Sequence, residues 1–129
     1  MGVGDEDVGI ATDAGAVNVL FGGRPSELSA AGNQFWHQNS LGLLDDAEAG
    51  DLFGHALSAG DFNGSGAAHL AVGVPVEDHW TGADVGAANV LYGGAAGLNM
   101  AGTQFWHQNS QGVLDAAEQG GLFGFALAP

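Results

Sequence analysis

The feature that most constrains the fold is an internal repeat of about 70 residues. The segment NQFWHQNS at 33–40 returns as TQFWHQNS at 103–110, and DLFGHAL at 51–57 returns as GLFGFAL at 121–127. A repeat of this length is too long for one hairpin or a two-helix unit, but it accommodates about four short strands with their turns. The chain is therefore predicted to contain two copies of one four-stranded unit.

Four segments within one repeat have the pattern of short strands. Each is apolar, alternating or aromatic-rich, and glycine or proline marks most of their ends. In chain order, the first to fourth predicted strands are LFGHALSAG (52–60), HLAVGVP (69–75), AANVLYGG (87–94) and TQFWHQN (103–109). The acidic stretch at 43–51 is too short for more than one helical turn, and we predict a connecting loop there.

Composition favours a turn-rich β protein and excludes several classes of partner. The 129 residues include 24 glycines, no cysteine, and 15 Asp and Glu against a single basic residue, Arg24, which gives a formal net charge of −14. Nucleic acid and membrane surfaces are not expected partners, because both are bound largely through Lys and Arg. No apolar run reaches the roughly 20 residues of a membrane span, and no signal peptide is recognised in this chain.

The motifs resemble the FG-GAP repeat, the blade unit of integrin α-subunit β-propellers and of many bacterial secreted proteins. The matching segments are FG at 53–54 and 123–124, GDFNGSG at 60–66, LAVGVP at 70–75 and GAANVLYGG at 86–94. This resemblance implies an all-β fold, a β-propeller of four-stranded antiparallel blades around a central channel. It also implies that the parent protein is secreted or extracellular.

The resemblance divides the chain into two blades in permuted order. Residues 1–50 are expected to form an incomplete first blade of strands two to four, and 51–120 a complete blade. Residues 121–129 are expected to supply the first strand that completes the blade of a neighbouring chain. Two blades cannot close a ring, and propellers usually hold four to eight, which corresponds to two, three or four chains. Because four blades would need unusually sharp curvature, we expect three or four chains to form a head-to-tail homo-oligomer.

The family holds Ca²⁺ in the loop between the first and second strands. The resemblance places Asp61, Asn63 and Ser65 on its first three side-chain positions, Ala67 on its backbone-carbonyl position, and His69 where Asp is usual. Oxygens on a tight glycine-containing loop suit a hard cation, although a neutral hydroxyl and a histidine nitrogen weaken the site. The expected Ca²⁺ affinity is weak, roughly millimolar. The alternative is an Asx-type turn, in which these side chains bond their own backbone.

Two classes of function follow. The first is a non-enzymatic module, a self-assembling propeller with a degenerate Ca²⁺ loop that presents other loops for protein or glycan recognition. The second is a propeller-based hydrolase or lyase with a site at the central channel. The first is favoured and the chain is predicted not to be an enzyme, because the acidic stretches at 43–51 and 76–78 have no nucleophile, Lys or Arg beside them and are expected to be solvated loops. Trp80, which the first copy lacks, is either a ligand-stacking platform or a loop-packing residue.

Overall fold

The computed structural model describes residues 1–22, 27–80 and 82–129, and Arg24 lies outside these ranges. Within them the chain is all-β, with seven strands in two antiparallel sheets and no helix. Nothing in these ranges could cross a membrane as a helix. The first sheet contains β1 (Gly2–Val3), β2 (Ala16–Gly22) and β3 (Leu28–Trp36). The second contains β4 (Ala56–Gly60), β5 (His69–Val74), β6 (Ala87–Gly94) and β7 (Gly97–Trp106).

In both sheets, strands that are consecutive in the sequence are hydrogen-bonded neighbours. The register of β2 with β3 shifts between Val19 and Phe21, and that of β6 with β7 shifts at the equivalent place, between Val90 and Tyr92. Such a bulge bends the strand and increases its twist. The two copies therefore share the local irregularity as well as the strand order.

All four predicted segments contain strands, but several ends differ: β5 ends one residue early, at Val74, and β7 ends at Trp106 instead of 109. β7 begins at Gly97, earlier than predicted, because a tight turn pairs Gly97 directly with Gly94. β4 begins only at Ala56, whereas the FG pair was expected to lie within the first strand. Leu52 and Gly54 have φ values of 62° and 91°, and these values are incompatible with an extended strand, so the FG pair forms a turn before β4.

The C-terminal segment, residues 121–129, contains no strand in the single chain. The backbone N–H of Phe123 donates to the carbonyl of Val85 at 3.0 Å, just as that of Phe53 donates to the carbonyl of Ala14 at 2.8 Å. Each FG turn thus lies against the sheet that precedes it. The role of 121–129 in completing a neighbouring chain's sheet stays a prediction.

The hydrophobic core lies between the two sheets, and Phe53 is at its centre. Phe53 is 0% exposed, whereas its counterpart Phe123 is only half-buried. Phe53 is covered by one sheet on each side. Phe123 is covered by the described residues on one side alone. The buried members of the core are Val17, Trp36, Phe53, Val72, Val74, Ala87 and Leu91.

Two glycines allow the FG turns to approach the sheets closely. Gly15 and Gly86 have φ values of 85° and 77°, in the left-handed region that favours glycine. A Cβ atom at Gly15 would lie 2.4 Å from the backbone nitrogen of Phe53, and one at Gly86 would lie 2.3 Å from that of Phe123. A side chain at either position would therefore displace the FG turn from its sheet.

Candidate functional site

The loop expected to bind calcium connects β4 to β5 and is closed by its own hydrogen bonds. Asp61 Oδ1 accepts the backbone N–H of Ser65 at 3.0 Å, and Oδ2 accepts that of Gly66 at 2.7 Å. Asn63 Oδ1 also accepts the N–H of Ser65, at 3.0 Å. These are the bonds of an Asx-type turn, in which side-chain oxygens satisfy nearby backbone donors.

His69 faces the interior and does not offer the oxygen that the family pattern has at this position. Its side chain is 1% exposed. Its Nδ1 accepts the backbone N–H of Phe62 at 3.1 Å, and its Nε2 lies 3.3 Å from Ser65 Oγ. Because Ca²⁺ prefers oxygen ligands, the described residues fit the Asx-turn alternative better than a calcium site. Calcium at Asp61, Asn63, Ser65, Ala67 and His69 remains a prediction.

The charge of Asp61 contributes to the order of this loop. Backbone hydrogen bonds, chiefly from Gly66, hold the pKa of Asp61 below its usual range. A carboxyl group with a depressed pKa stabilises the folded form above its unfolded pKa, and this contribution is lost as the pH falls through the lowered value. The loop is therefore expected to loosen in acid, below the usual range of an aspartate.

Replacing Asp61→Ala is expected to reduce the hydrogen-exchange protection of the Gly66 amide most, because its N–H loses its acceptor, whereas the Ser65 N–H keeps Asn63 Oδ1. NMR-detected exchange at constant pH measures this protection. Asn63→Ala is the matched control, since it leaves the acceptor of the Gly66 amide in place. Unchanged protection at Gly66 in the Asp61→Ala variant would contradict the turn.

A second group of polar residues, which we call the acid cluster, lies where the two sheets meet. It consists of Glu48, Asp51 and Glu77, whose carboxylate oxygens lie within 4.8 Å of one another and could hold a metal ion. Asp51 is 1% and Glu77 2% exposed. The prediction that these acidic stretches are solvated loops is therefore wrong for Asp51 and Glu77, because packing of the turn after β5 against the link between the sheets buries them.

Gln38, which follows β3, is aimed into the acid cluster. Its side chain is 1% exposed, and its Nε2 donates to Glu77 Oε2 at 2.6 Å. Among the residues that the structure describes, its Oε1 has no hydrogen-bond partner. The backbone N–H of Glu48 donates to Asp51 Oδ2 at 2.7 Å, which fixes the link between the sheets at this point. The site thus combines residues from the loop after β3, from the link, and from the turn after β5.

Burial and mutual repulsion act together on the protonation of the acid cluster. Burial raises the pKa of Asp51 to about 6. Burial also raises the pKa of Glu77 to about 10, helped by a hydrogen bond with Asp45 and repulsion from it. The sequence contains one Lys or Arg in total, Arg24. Neutralisation of the cluster therefore depends on protons or on a bound cation.

An aromatic group, formed between the loop after β5 and the residue after β7, lies beside a cavity of about 310 Å³. The ring of His79 lies 3.5 Å from that of Trp80 and 4.2 Å from that of His107, measured between centroids. Burial, together with the neighbouring His79, lowers the pKa of His107. Trp80 is 87% exposed, so one face of its indole is free to stack on a ligand. The sequence indicated Trp80 as a candidate, but it did not indicate that His79 and His107 lie close together.

An apolar cleft of about 440 Å³ opens between the sheets, and Val19, Leu57 and Leu70 are among its lining residues. Gln34 joins β3 to β7 across it, donating from Nε2 to the carbonyl of Leu98 at 2.7 Å and accepting its N–H at 2.9 Å. Among the described lining residues, His69 is the sole titratable side chain. The cleft therefore offers no pair of titratable side chains from these residues.

Comparison with known proteins assigns no family. No protein-family model matches the chain, and no curated protein matches it. The resemblance to FG-GAP repeats therefore rests on the sequence motifs, and its functional implications are proposals.

Proposed function

We propose that this chain is a non-enzymatic, self-assembling module of the FG-GAP propeller type, in which copies close head to tail into a ring. The observation that carries the proposal is the unequal burial of Phe53 and Phe123, which are equivalent in the repeat. A further sheet against Phe123 would bury it as the second sheet buries Phe53. In a solution of this chain, the sheet that covers Phe123 would be the first sheet of another copy.

Exposed apolar side chains at both ends of the sheet pair support the same arrangement. In the described part of the chain β1 pairs with β2 alone, so its other edge is open. Open edges and apolar ends favour association with another chain. The exposed apolar residues at the two ends are Met1, Val3, Leu122 and Phe125.

The contact between the FG turn at 53–54 and the second sheet of the same chain gives the register of the proposed contact between chains. Gly54 donates its N–H to the carbonyl of Gly73 at 3.1 Å, and Ala56 pairs with Gly73 as β4 begins. The repeat places Gly124 and Ala126 against Gly2 of the next chain in the same way. The C-terminal residues of one chain would then add the missing first strand to the first sheet of the next.

The number of chains follows from the size of known propellers. Rings of four to eight blades correspond to two, three or four chains with two blades each. A ring of only four blades needs unusually sharp curvature for a unit of this length. We therefore propose a ring of three or four chains, with six or eight blades.

The mass of the protein in solution tests this proposal. We expect light scattering after gel filtration to give three or four times the chain mass of 12.9 kDa at micromolar concentration. Because chains with a net charge of −14 repel one another, assembly should tighten as salt is added. A folded monomer at micromolar concentration in high salt would contradict the proposal.

Within this proposal the loops of the ring present side chains for protein or glycan recognition, and exposed Trp80 supports that role.

One observation favours the enzyme alternative, namely that Asp51 and Glu77 are close carboxylates with raised pKa values. Both are buried, however, and a general acid or base must reach its substrate. A structural role for them is therefore preferred. A secreted parent protein is also part of the proposal, on the resemblance alone.

A further inference from the structure

We propose that the acid cluster, together with Gln38, binds one Ca²⁺ ion that ties the two sheets of a single chain together. This site is distinct from the loop containing Asp61. It also needs no second chain, so it holds whether or not the ring forms.

The spacing of the oxygens suits calcium. The ligating oxygens of Glu48, Asp51 and Glu77 lie within 4.8 Å of one another. Two ligands of one Ca²⁺ ion, each at 2.3–2.6 Å, are at most about 5 Å apart. The cluster can therefore surround Ca²⁺ with little movement.

The free Oε1 atom of Gln38 is an independent indication of a ligand. Buried polar atoms almost always have a partner, and this one belongs to a side chain that is 1% exposed. The Nε2 atom of the same amide donates to Glu77 Oε2, so this amide is in contact with the acid cluster. An amide oxygen is a common ligand of Ca²⁺, and a cation would supply the missing partner.

The chemistry of the donors selects the class of cation. The three carboxylates offer oxygen alone, and the free atom of Gln38 is an oxygen as well. Such a set suits hard cations, whereas zinc sites generally include nitrogen or sulfur ligands. A divalent ion would also offset the repulsion that raises the pKa values of Asp51 and Glu77.

The positions of the ligands explain what the ion would do. Gln38 follows the last strand of the first sheet, Glu48 and Asp51 lie on the link, and Glu77 follows β5 of the second sheet. These segments separate when the chain unfolds. An ion that binds the folded form alone raises stability by mass action, so Ca²⁺ should raise Tm.

The second copy of the repeat provides matched controls. Gln108 and Glu118 correspond to Gln38 and Glu48, but Gly121 stands where the first copy has Asp51. The carboxylate set therefore cannot be completed in the second copy. Glu48 and Glu118 are both exposed, so neither Glu48→Gln nor Glu118→Gln is expected to disturb folding.

The experiment is a calorimetric titration of the chelator-treated full chain with CaCl₂, accompanied by Tm measurements. We expect about one ion per chain, a rise in Tm, and a loss of affinity of about tenfold or more in Glu48→Gln, because calcium affinity depends on ligand charge. Glu118→Gln, which removes the same charge, should bind like the wild type. Asp61→Asn should also retain binding, because that residue lies in the other loop.

Several results would overturn the proposal. One is the absence of both heat and a Tm shift at millimolar CaCl₂, which would mean that protons alone neutralise the cluster. Another is equal weakening in Glu48→Gln and Glu118→Gln, which would indicate a diffuse charge effect. Complete loss of binding in Asp61→Asn would place the ion in the other loop, and a response to MgCl₂ without one to CaCl₂ would refute the choice of calcium.

Discussion

Phe53→Ala should lower the free energy of unfolding by about 3 to 5 kcal/mol, the range for truncating a fully buried phenylalanine. Phe53 is 0% exposed and packs with Val17 of the first sheet and Val72 of the second. Removing the ring would leave a cavity where the two sheets meet. Because a protein interior relaxes only partly around such a truncation, the surrounding side chains are not expected to fill it.

Denaturant unfolding at a fixed protein concentration measures this loss. The control is Phe123→Ala, which removes the equivalent ring from a half-buried position. In a single chain it should cost clearly less than Phe53→Ala, and in the proposed ring its effect should appear as a higher concentration needed for assembly. A loss below about 1 kcal/mol for Phe53→Ala would show that the ring does not hold the sheets together.

Removing residues 126–129 is expected to abolish the oligomer and leave both sheets folded. These residues form no strand within the chain, and the FG turn that precedes them keeps the bond from the Phe123 N–H to Val85. In the proposed ring they supply the first strand to the next chain. Light scattering should therefore give the mass of one chain, while the β-sheet circular dichroism signal is retained.

A pair of point variants separates strand addition from a general effect of shortening the chain. Leu127 corresponds to Leu57, which pairs with Val72 inside the chain. Leu127→Pro removes a backbone donor from the proposed ladder and should weaken assembly, whereas Leu127→Val should preserve it. An oligomer that survives both the deletion and Leu127→Pro would mean that the chains meet through another surface.

The sequence determined the all-β class, the two copies and the position of most strands. β6 occupies Ala87–Gly94, as predicted, and β5 differs from its prediction by one residue. These features can be predicted because alternating apolar residues, glycine and proline determine local structure over a few residues. The repeat also shows each pattern twice. The FG pair was wrongly assigned to the first strand, because nothing in the sequence indicates that Leu52, an ordinary leucine, has a positive φ.

Only the tertiary structure decided which acidic residues form a site. Asp46 and Asp51 belong to the same acidic stretch, yet Asp46 is exposed and Asp51 is buried. What separates them is the turn after β5, which brings Glu77 onto the link between the sheets, and Gln38, which enters from the end of β3. Burial depends on contacts between residues far apart in the chain, and neither periodicity nor local propensity contains that information.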